Sequence, residues 1–245
     1  MRLIRVHVDS PLRPDSDLRL PEAAAYHVAR VLRLREGATI VAFDGSGSDY
    51  RCEILAVKGD EVRVRVGAKV VGLPESPLRI TLVQAVSRSE RMDWTLQKAT
   101  ELGVRTIVPV LSARSVVRLD DRQAAKKVRH WQAIVAGACE QCGRSVVPEV
   151  LMPLELPQYL AAAAREKGQR FVLNPTGPAS LAGLSSVGPR VELLIGPEGG
   201  LDDAELERAA AAGFMPVRLG PRVLRTETAG IVALTVLQSL WGDLQ

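Results

Sequence analysis

Residues Glu192–Glu205 read ELLIGPEGGLDDAE, an apolar strand that runs straight into the turn-forming series Gly196-Pro197-Glu198-Gly199-Gly200 and then into a helix capped by Asp202 or Asp203. Open α/β sheets bind ligands beyond the carboxyl ends of their strands. Gly199 and Gly200 would let backbone amides approach a ligand with no Cβ in the way, and the helix amides lie just behind them. A tight turn accounts for one glycine, whereas five turn-forming residues around a carboxylate favour a ligand loop. The chain contains no GxGxxG and no GxxxxGK followed by Ser or Thr, so dinucleotide and Walker-type phosphate binding lose weight.

A second chemical segment, LGPRVLRTETAG at Leu219–Gly230, carries Arg222, Arg225, Thr226, Glu227 and Thr228 where a plain strand-to-helix connection needs only ~2–6 residues. Thr226 or Thr228 can cap the following helix, which leaves the two arginines unexplained. Guanidinium groups at the carboxyl edge of a sheet suit an anionic group or developing negative charge. Other signals are weaker. Cys139-Glu-Gln-Cys142 has redox-motif spacing but no second ligand pair, so no metal is expected. His7, His27 and His130 are scattered, and without HExxH or GxSxG there is no visible hydrolase nucleophile.

These segments need elements to hold them, and the pattern is α/β in two parts. In the first seventy residues LIRVHV, TIVAF, YRCEILAV and EVRVRVGAKVV read as strands separated by DGSGS and KGD turns. EAAAYHVARVLRL reads as one helix with Ala25, Val28, Ala29 and Leu32 on one face. The expected form is a small β-barrel. In its last strand Val62, Val64 and Val66 alternate with Arg63 and Arg65, so one face enters the core and the other presents guanidinium to water or to RNA. GLPESPL has linker composition, which sets a first domain at 1–72, a linker at 73–78 and a second domain at 79–245. In the second domain strands and helices alternate from RITLVQAV to a closing helix from about Thr228, the pattern of a parallel sheet covered on both faces.

With 245 residues, 47% of them hydrophobic and 24% charged, the chain can bury a core, and a disulfide-stapled miniprotein is excluded. Of its 32 basic residues only six are lysines, so the cationic surface is mostly guanidinium. Arginine contacts phosphate bidentately and stacks on bases, which favours a nucleic-acid partner about as much as it reflects a GC-rich genome. Three cysteines and a start without an apolar signal-peptide core point to the reducing cytoplasm. The apolar stretch around Ala229–Leu237 is shorter than the roughly 20 residues a membrane span needs, so no membrane role follows.

Taken in order, HVARVLRLREGATIVAFDGSG, DWTLQKATELGV with IVPV after it, ACEQCGRSVVPEV, IGPEGG and LGPRVLRTETA cover nearly the whole chain. Together these five blocks resemble the RsmE family, the bacterial 16S ribosomal RNA uridine-N3 methyltransferases. The resemblance implies a PUA-like β-barrel followed by a SPOUT-class domain with a parallel sheet and a C-terminal trefoil knot. Strand counting would not produce a knot, because knots are rare exceptions. It also implies S-adenosylmethionine bent between three loops, with backbone groups on the adenine. By motif, the cofactor-binding residues are Leu173, Asn174, Pro175, Thr176, Ile195, Gly196, Pro197, Glu198, Gly199, Gly200, Leu219, Gly220, Val223, Leu224, Arg225, Thr226 and Thr228.

The implied reaction is methyl transfer to the N3 nitrogen of a uridine in 16S ribosomal RNA, within the small subunit. Uracil N3–H is protonated at neutral pH, so the reaction needs a base or stabilisation of the anion. Arg225 is the expected stabiliser and Glu198 the expected base, with amide binding inside the turn as the competing role for Glu198. Arg63, Arg65, Arg88 and Arg91 are the expected RNA contacts. The apolar closing helix from Ile231 to Trp241 predicts a homodimer that Leu237→Arg would split, against the competing reading of ordinary core. Two rivals are a noncatalytic RNA-binding adaptor and a ribose 2′-OH methyltransferase; the paired loops count against the first, and the N-terminal domain with RTETA against the second.

Overall fold

The computed structural model describes residues 4–165 and 167–244. Its backbone divides into two compact units, Met1–Glu75 with Ala136–Val147, and Ser76–Val135 with Pro148–Gln245. The division falls inside the expected linker, but the segment Ala136–Val147 joins the first unit, which a linear reading of the chain does not anticipate.

In the first unit β1 (Arg5–His7), β2 (Ser16–Arg19), α1 (Glu22–Tyr26), β3 (Thr39–Phe43), β4 (Ser48–Lys58) and β5 (Glu61–Val71) follow in order. Leu3, the first residue of the expected LIRVHV strand, lies outside the described residues. The sheet runs β1-β3-β4-β5-β2, antiparallel except where β1 lies parallel to β3. Among the described residues no ladder joins β1 to β2, and register shifts in β4 add local twist. The alternation on β5 is realised: Val62, Val64 and Val66 are fully buried while Arg63 and Arg65 face outward.

The expected helix Glu22–Leu34 is instead a short α1 running into a π-helical turn, His27–Val31, in which the Leu32 amide donates to the His27 carbonyl at 2.9 Å. That wide turn offsets the later residues by one position. Ala25 and Val28 stay in the core, and Leu34 packs there in place of Leu32.

The ACEQCGRSVV segment closes this unit with buried charge. Arg5 pairs with Asp49 beside the Phe43 ring, the Ser145 hydroxyl donates to Asp49 at 2.5 Å, and Arg144 pairs with Glu75. Arg5 and Asp49 are about nine-tenths buried, so each needs the other. This places the motif in structure rather than redox chemistry. All three cysteines are free, and burial pushes the Cys139 thiol up to about 12, which makes it a poor nucleophile and ligand. Among the described residues no group of His, Cys, Asp or Glu could hold a metal ion, and no helix is long and apolar enough to cross a membrane.

The second unit holds β6 (Arg79–Ala85), α2 (Ser89–Glu101), β7 (Val104–Leu111), α3 (Asp121–Cys142, its last turns in the first unit), β8 (Glu149–Val150) and β9 (Leu154–Glu155). It continues with α4 (Leu156–Ala163), β10 (Gln169–Leu173), β11 (Ala179–Ser180), β12 (Arg190–Ile195), α5 (Asp203–Ala211), β13 (Phe214–Arg218) and α6 (Thr226–Trp241). The sheet order is β11-β13-β10-β12-β6-β7-β8 with β9 paired to β7, and every pair is parallel. Because β13, β10 and β12 are parallel neighbours, their carboxyl ends share one edge. The loops that follow them must therefore converge.

Helix α6 begins at Thr226 rather than Thr228 and packs on α2 and β12. Ala233, Leu234 and Leu237 are fully buried within the protomer, and Gln238 is anchored by the Ser76 hydroxyl at 2.7 Å and the Leu102 carbonyl at 2.9 Å. Leu237 is therefore ordinary core, and Leu237→Arg would disrupt the subunit instead of separating two of them. The apolar side left accessible is marked by Leu240, 46% exposed.

Candidate active site

The three loops that leave β10, β12 and β13 enclose a cavity of about 470 Å³, within the ~300–1,000 Å³ usual for small-molecule sites. Each loop is held by its own backbone. After β10, the Asn174 amide donates to the Val217 carbonyl at 2.9 Å, and the Asn174 side chain accepts from the Thr176 amide and hydroxyl, each at 2.9 Å. A Cβ on Gly177 would stand 2.9 Å from the Val217 carbonyl carbon, so only glycine lets this loop lie against β13. Arg218 secures it further, donating to the carbonyls of Gly177 at 2.8 Å and Pro178 at 2.5 Å.

After β12, Gly200 adopts φ +70° and its amide donates to the Pro197 carbonyl at 2.9 Å, closing a tight turn. Asp202 caps α5 through a reciprocal capping box with Glu205, which also accepts from the Ala113 amide at 2.7 Å. Arg91 on α2 reaches this loop: its guanidinium lies 3.0 Å from Glu198 and 3.8 Å from Glu227.

After β13, Gly220 adopts φ +122° with open space where a Cβ would project. Thr226 does not cap α6, whose N-cap position is Arg225 without a side-chain cap. Its hydroxyl donates to the Gly196 carbonyl at 2.7 Å and accepts from the buried Gln84 amide at 3.1 Å, tying the third loop to the second. Thr226→Val removes both bonds and strands the Gly196 carbonyl, a cost of about 1–3 kcal/mol. Thermal denaturation should show a drop of roughly 5 °C, with Thr226→Ser near wild type; an unchanged midpoint would mean water replaces the hydroxyl.

Most of the sequence-derived cofactor residues line this cavity, from Leu173 through Asn174 and Pro175, Ile195 to Glu198 and Gly200, and Leu219 to Thr226. Three do not. Thr176 is spent in the Asn174 turn, Thr228 lies within α6, and Gly199 faces Arg114, whose guanidinium donates to the Gly199 carbonyl at 2.9 Å. The positive φ in this loop belongs to Gly200, not Gly199. Arg91, expected as an RNA contact, also lines the cavity. Leu201, Leu206, Val217, Arg218 and Ala229 also line it and escaped sequence reasoning. Arg218, the last residue of its strand, was the one chemically legible signal among them.

Arg225 lines the cavity, is exposed, and has no ion pair among the described residues. Arg88, exposed just before α2, is likewise unpaired among them. Arg63 and Arg65, by contrast, share Asp17 at 3.1 and 3.5 Å, so part of their charge is already met. The arrangement can hold a flat polar ligand through loop backbone and present beside it the guanidinium groups of Arg222 and Arg225, neither of which has an ion pair among the described residues.

Residues 74–238 match the model of an RNA methyltransferase domain, and residues 20–67 match an RNA methyltransferase PUA domain. A putative methyltransferase from Legionella pneumophila, crystallised with bound S-adenosylmethionine, is 40% identical with a TM-score of 0.94 over 100% of both chains. The ribosomal RNA small subunit methyltransferase E of Neisseria gonorrhoeae, also bound to S-adenosylmethionine, is 35% identical with a TM-score of 0.90 over 100% of both chains. The ribosomal RNA small subunit methyltransferase E of Bacillus subtilis is 34% identical over 86% of this chain and 86% of its own length. The loops that converge on one sheet edge thus sit inside a matched domain spanning most of the protein, and the chain belongs to the RNA methyltransferase family.

Proposed function

We propose that this protein transfers a methyl group from S-adenosylmethionine to the N3 nitrogen of a uridine in 16S ribosomal RNA of the small subunit. The observation that carries the reading is that all three expected loops line one cavity, with Arg222 and Arg225 among its lining residues and without an ion pair among the described residues. Its residues suit the cofactor: Gly200 and Gly220 expose backbone without side chains, while Leu173, Ile195, Leu219 and Leu224 give an apolar bed for a flat base. Relatives crystallised with S-adenosylmethionine support the same choice.

When bound, the cofactor supplies an electrophilic methyl group on a sulfonium. The chain's own residues do the rest. Loop backbone from Asn174, Gly196 and Gly220 orients the ligand, which converts transfer into a positioned, in-line displacement. Arg225 faces the negative charge that develops on a uracil carbonyl oxygen as the N3 proton leaves; it stays charged and so acts as stabiliser, not base. In this reading Glu198 accepts that proton, and its ion pair with Arg91 holds the carboxylate. The methyl replaces the proton on N3, and no metal is required.

The domain assignment follows: a PUA-like barrel for RNA at 1–72, a linker at 73–78, and a SPOUT domain at 79–245 whose last segment passes through a trefoil knot. Arg88 and Arg91 serve as RNA contacts beside the cavity. A cytoplasmic location fits the substrate and the free cysteines. Nucleoside mass spectrometry of small-subunit RNA after incubation tests the activity: N3-methyluridine is expected, ribose methylation would reassign the acceptor, and no methylation would leave an adaptor.

The protein acts as a homodimer in this reading, supported by the family resemblance and the accessible apolar edge of α6 at Leu240. Leu240→Arg should halve the mass in light scattering and abolish RNA methylation while cofactor binding survives. A wild-type monomer would make each active site complete within one chain.

A further inference from the structure

We propose that the concave surface formed by the π-helical turn and the residues after it in the first unit binds the phosphodiester backbone of RNA through Arg33 and Arg35. The inference rests on the reading that the substrate is RNA, and it assigns a surface that the methyl-transfer chemistry does not use. Arg30, Arg33 and Arg35 line this concavity over Ala29, Leu34 and Val57, with Glu36 as the one acidic lining residue.

The charges are not equivalent. Arg30 is satisfied by Asp60 at 2.5 Å, whereas Arg33 and Arg35 have no ion pair among the described residues. Both are exposed. Elsewhere in this unit Arg19 pairs with Glu61 at 2.6 Å, and Arg63 and Arg65 share Asp17. An incoming phosphate therefore displaces nothing at Arg33 and Arg35, but must compete with a carboxylate at Arg63 or Arg65.

The backbone supports the same choice. Arg33 adopts φ +52°, a left-handed conformation that costs an L-residue roughly 1–2 kcal/mol. Glycine would hold that turn at lower cost, so an arginine there points to use of its side chain. The turn is pinned by the Leu34 amide donating to the Val28 carbonyl at 3.0 Å, and Leu34 packs against the core. The guanidinium groups on either side of Leu34 are thus carried on anchored backbone. Tyr26, 56% exposed and one turn before Arg30, adds an aromatic face on which an unpaired base can stack. Forked cations, with an exposed aromatic ring one turn before the first arginine of the concavity, suit RNA better than an acidic peptide, which has no base to stack.

The test uses the full-length protein and transcribed small-subunit ribosomal RNA in filter binding across a series of potassium chloride concentrations. Each phosphate contact contributes roughly 0.7 to 0.9 to the slope of log affinity against log salt. Arg33→Gln with Arg35→Gln should flatten that slope by about 1.5, while Arg63→Gln with Arg65→Gln should leave it unchanged. Arg35→Glu, at a residue with ordinary backbone, gives the same direction of change if the double variant folds poorly. An unchanged slope in folded variants overturns the proposal, as does displacement of RNA by polyglutamate at matched charge. Calorimetric titration with S-adenosylmethionine and the N3-methyluridine assay on the wild type keep the two readings apart. Normal methylation with an unchanged slope removes this surface alone; absence of methylation removes the RNA methyltransferase reading.

Discussion

Gly220→Val should weaken S-adenosylmethionine binding by at least about a hundredfold while leaving the melting temperature nearly unchanged. Gly220 sits at φ +122°, a region side chains rarely adopt, and a valine forced there is strained by about 1–3 kcal/mol. In the free protein this half-buried loop can relax and escape the strain; binding requires it to return, so the cost falls on affinity. A second effect adds to the first. No protein atom lies within 4 Å of the position of a Cβ at Gly220, and the residue lines the cavity, so the branched side chain occupies space that the ligand needs. Gly220→Ala carries the strain without most of the bulk and should lose about tenfold. Calorimetric titration decides between outcomes: near-native affinity for the valine variant would remove the third loop from the cofactor site. Gly199, which faces Arg114 and not the cavity, is the weaker probe of the second loop.

Arg225→Ala should lower the methyl-transfer rate about a hundredfold, the usual loss when one donor to a developing charge is removed. Cofactor affinity should change far less. The separation follows from where Arg225 lies. It precedes α6 at the cavity, exposed and without an ion pair among the described residues, so deleting it leaves no buried partner stranded. An interaction made only in the transition state appears in kcat and in kcat/KM alike. Arg225→Lys retains a charge but not the fork, and should recover part of the rate. Normal turnover with poor cofactor affinity would instead place Arg225 on the cofactor.

Much of this site is legible in the order of residue types. Gly196-Pro197-Glu198-Gly199-Gly200 after an apolar strand, and the LGPRVLRTETAG segment after another, mark two of the three loops because glycine, proline and arginine have few structural uses at such positions. Strand alternation at Val62, Val64 and Val66 likewise determines which face of β5 is buried, since a period of two admits one answer. What residue order does not carry is pairing over distance. Arg91 looks like a surface cation in its helix, and becomes part of the cavity because β12 pairs with β6, the strand that leads into α2, and the loop after β12 brings Glu198 within 3.0 Å. Thr226 has the composition of a helix cap, yet its hydroxyl bonds to Gly196, thirty residues earlier. Leu237 and Leu240 are equally apolar, but the packing of α6 buries the first and leaves the second 46% exposed. The π-helical turn at His27–Val31 shifts a helical face by one residue, which propensities of single residues do not encode. Local patterns follow from the side chain and its neighbours in sequence; contacts between strands and helices far apart in the chain depend on sheet order, which residue types leave open and folding settles.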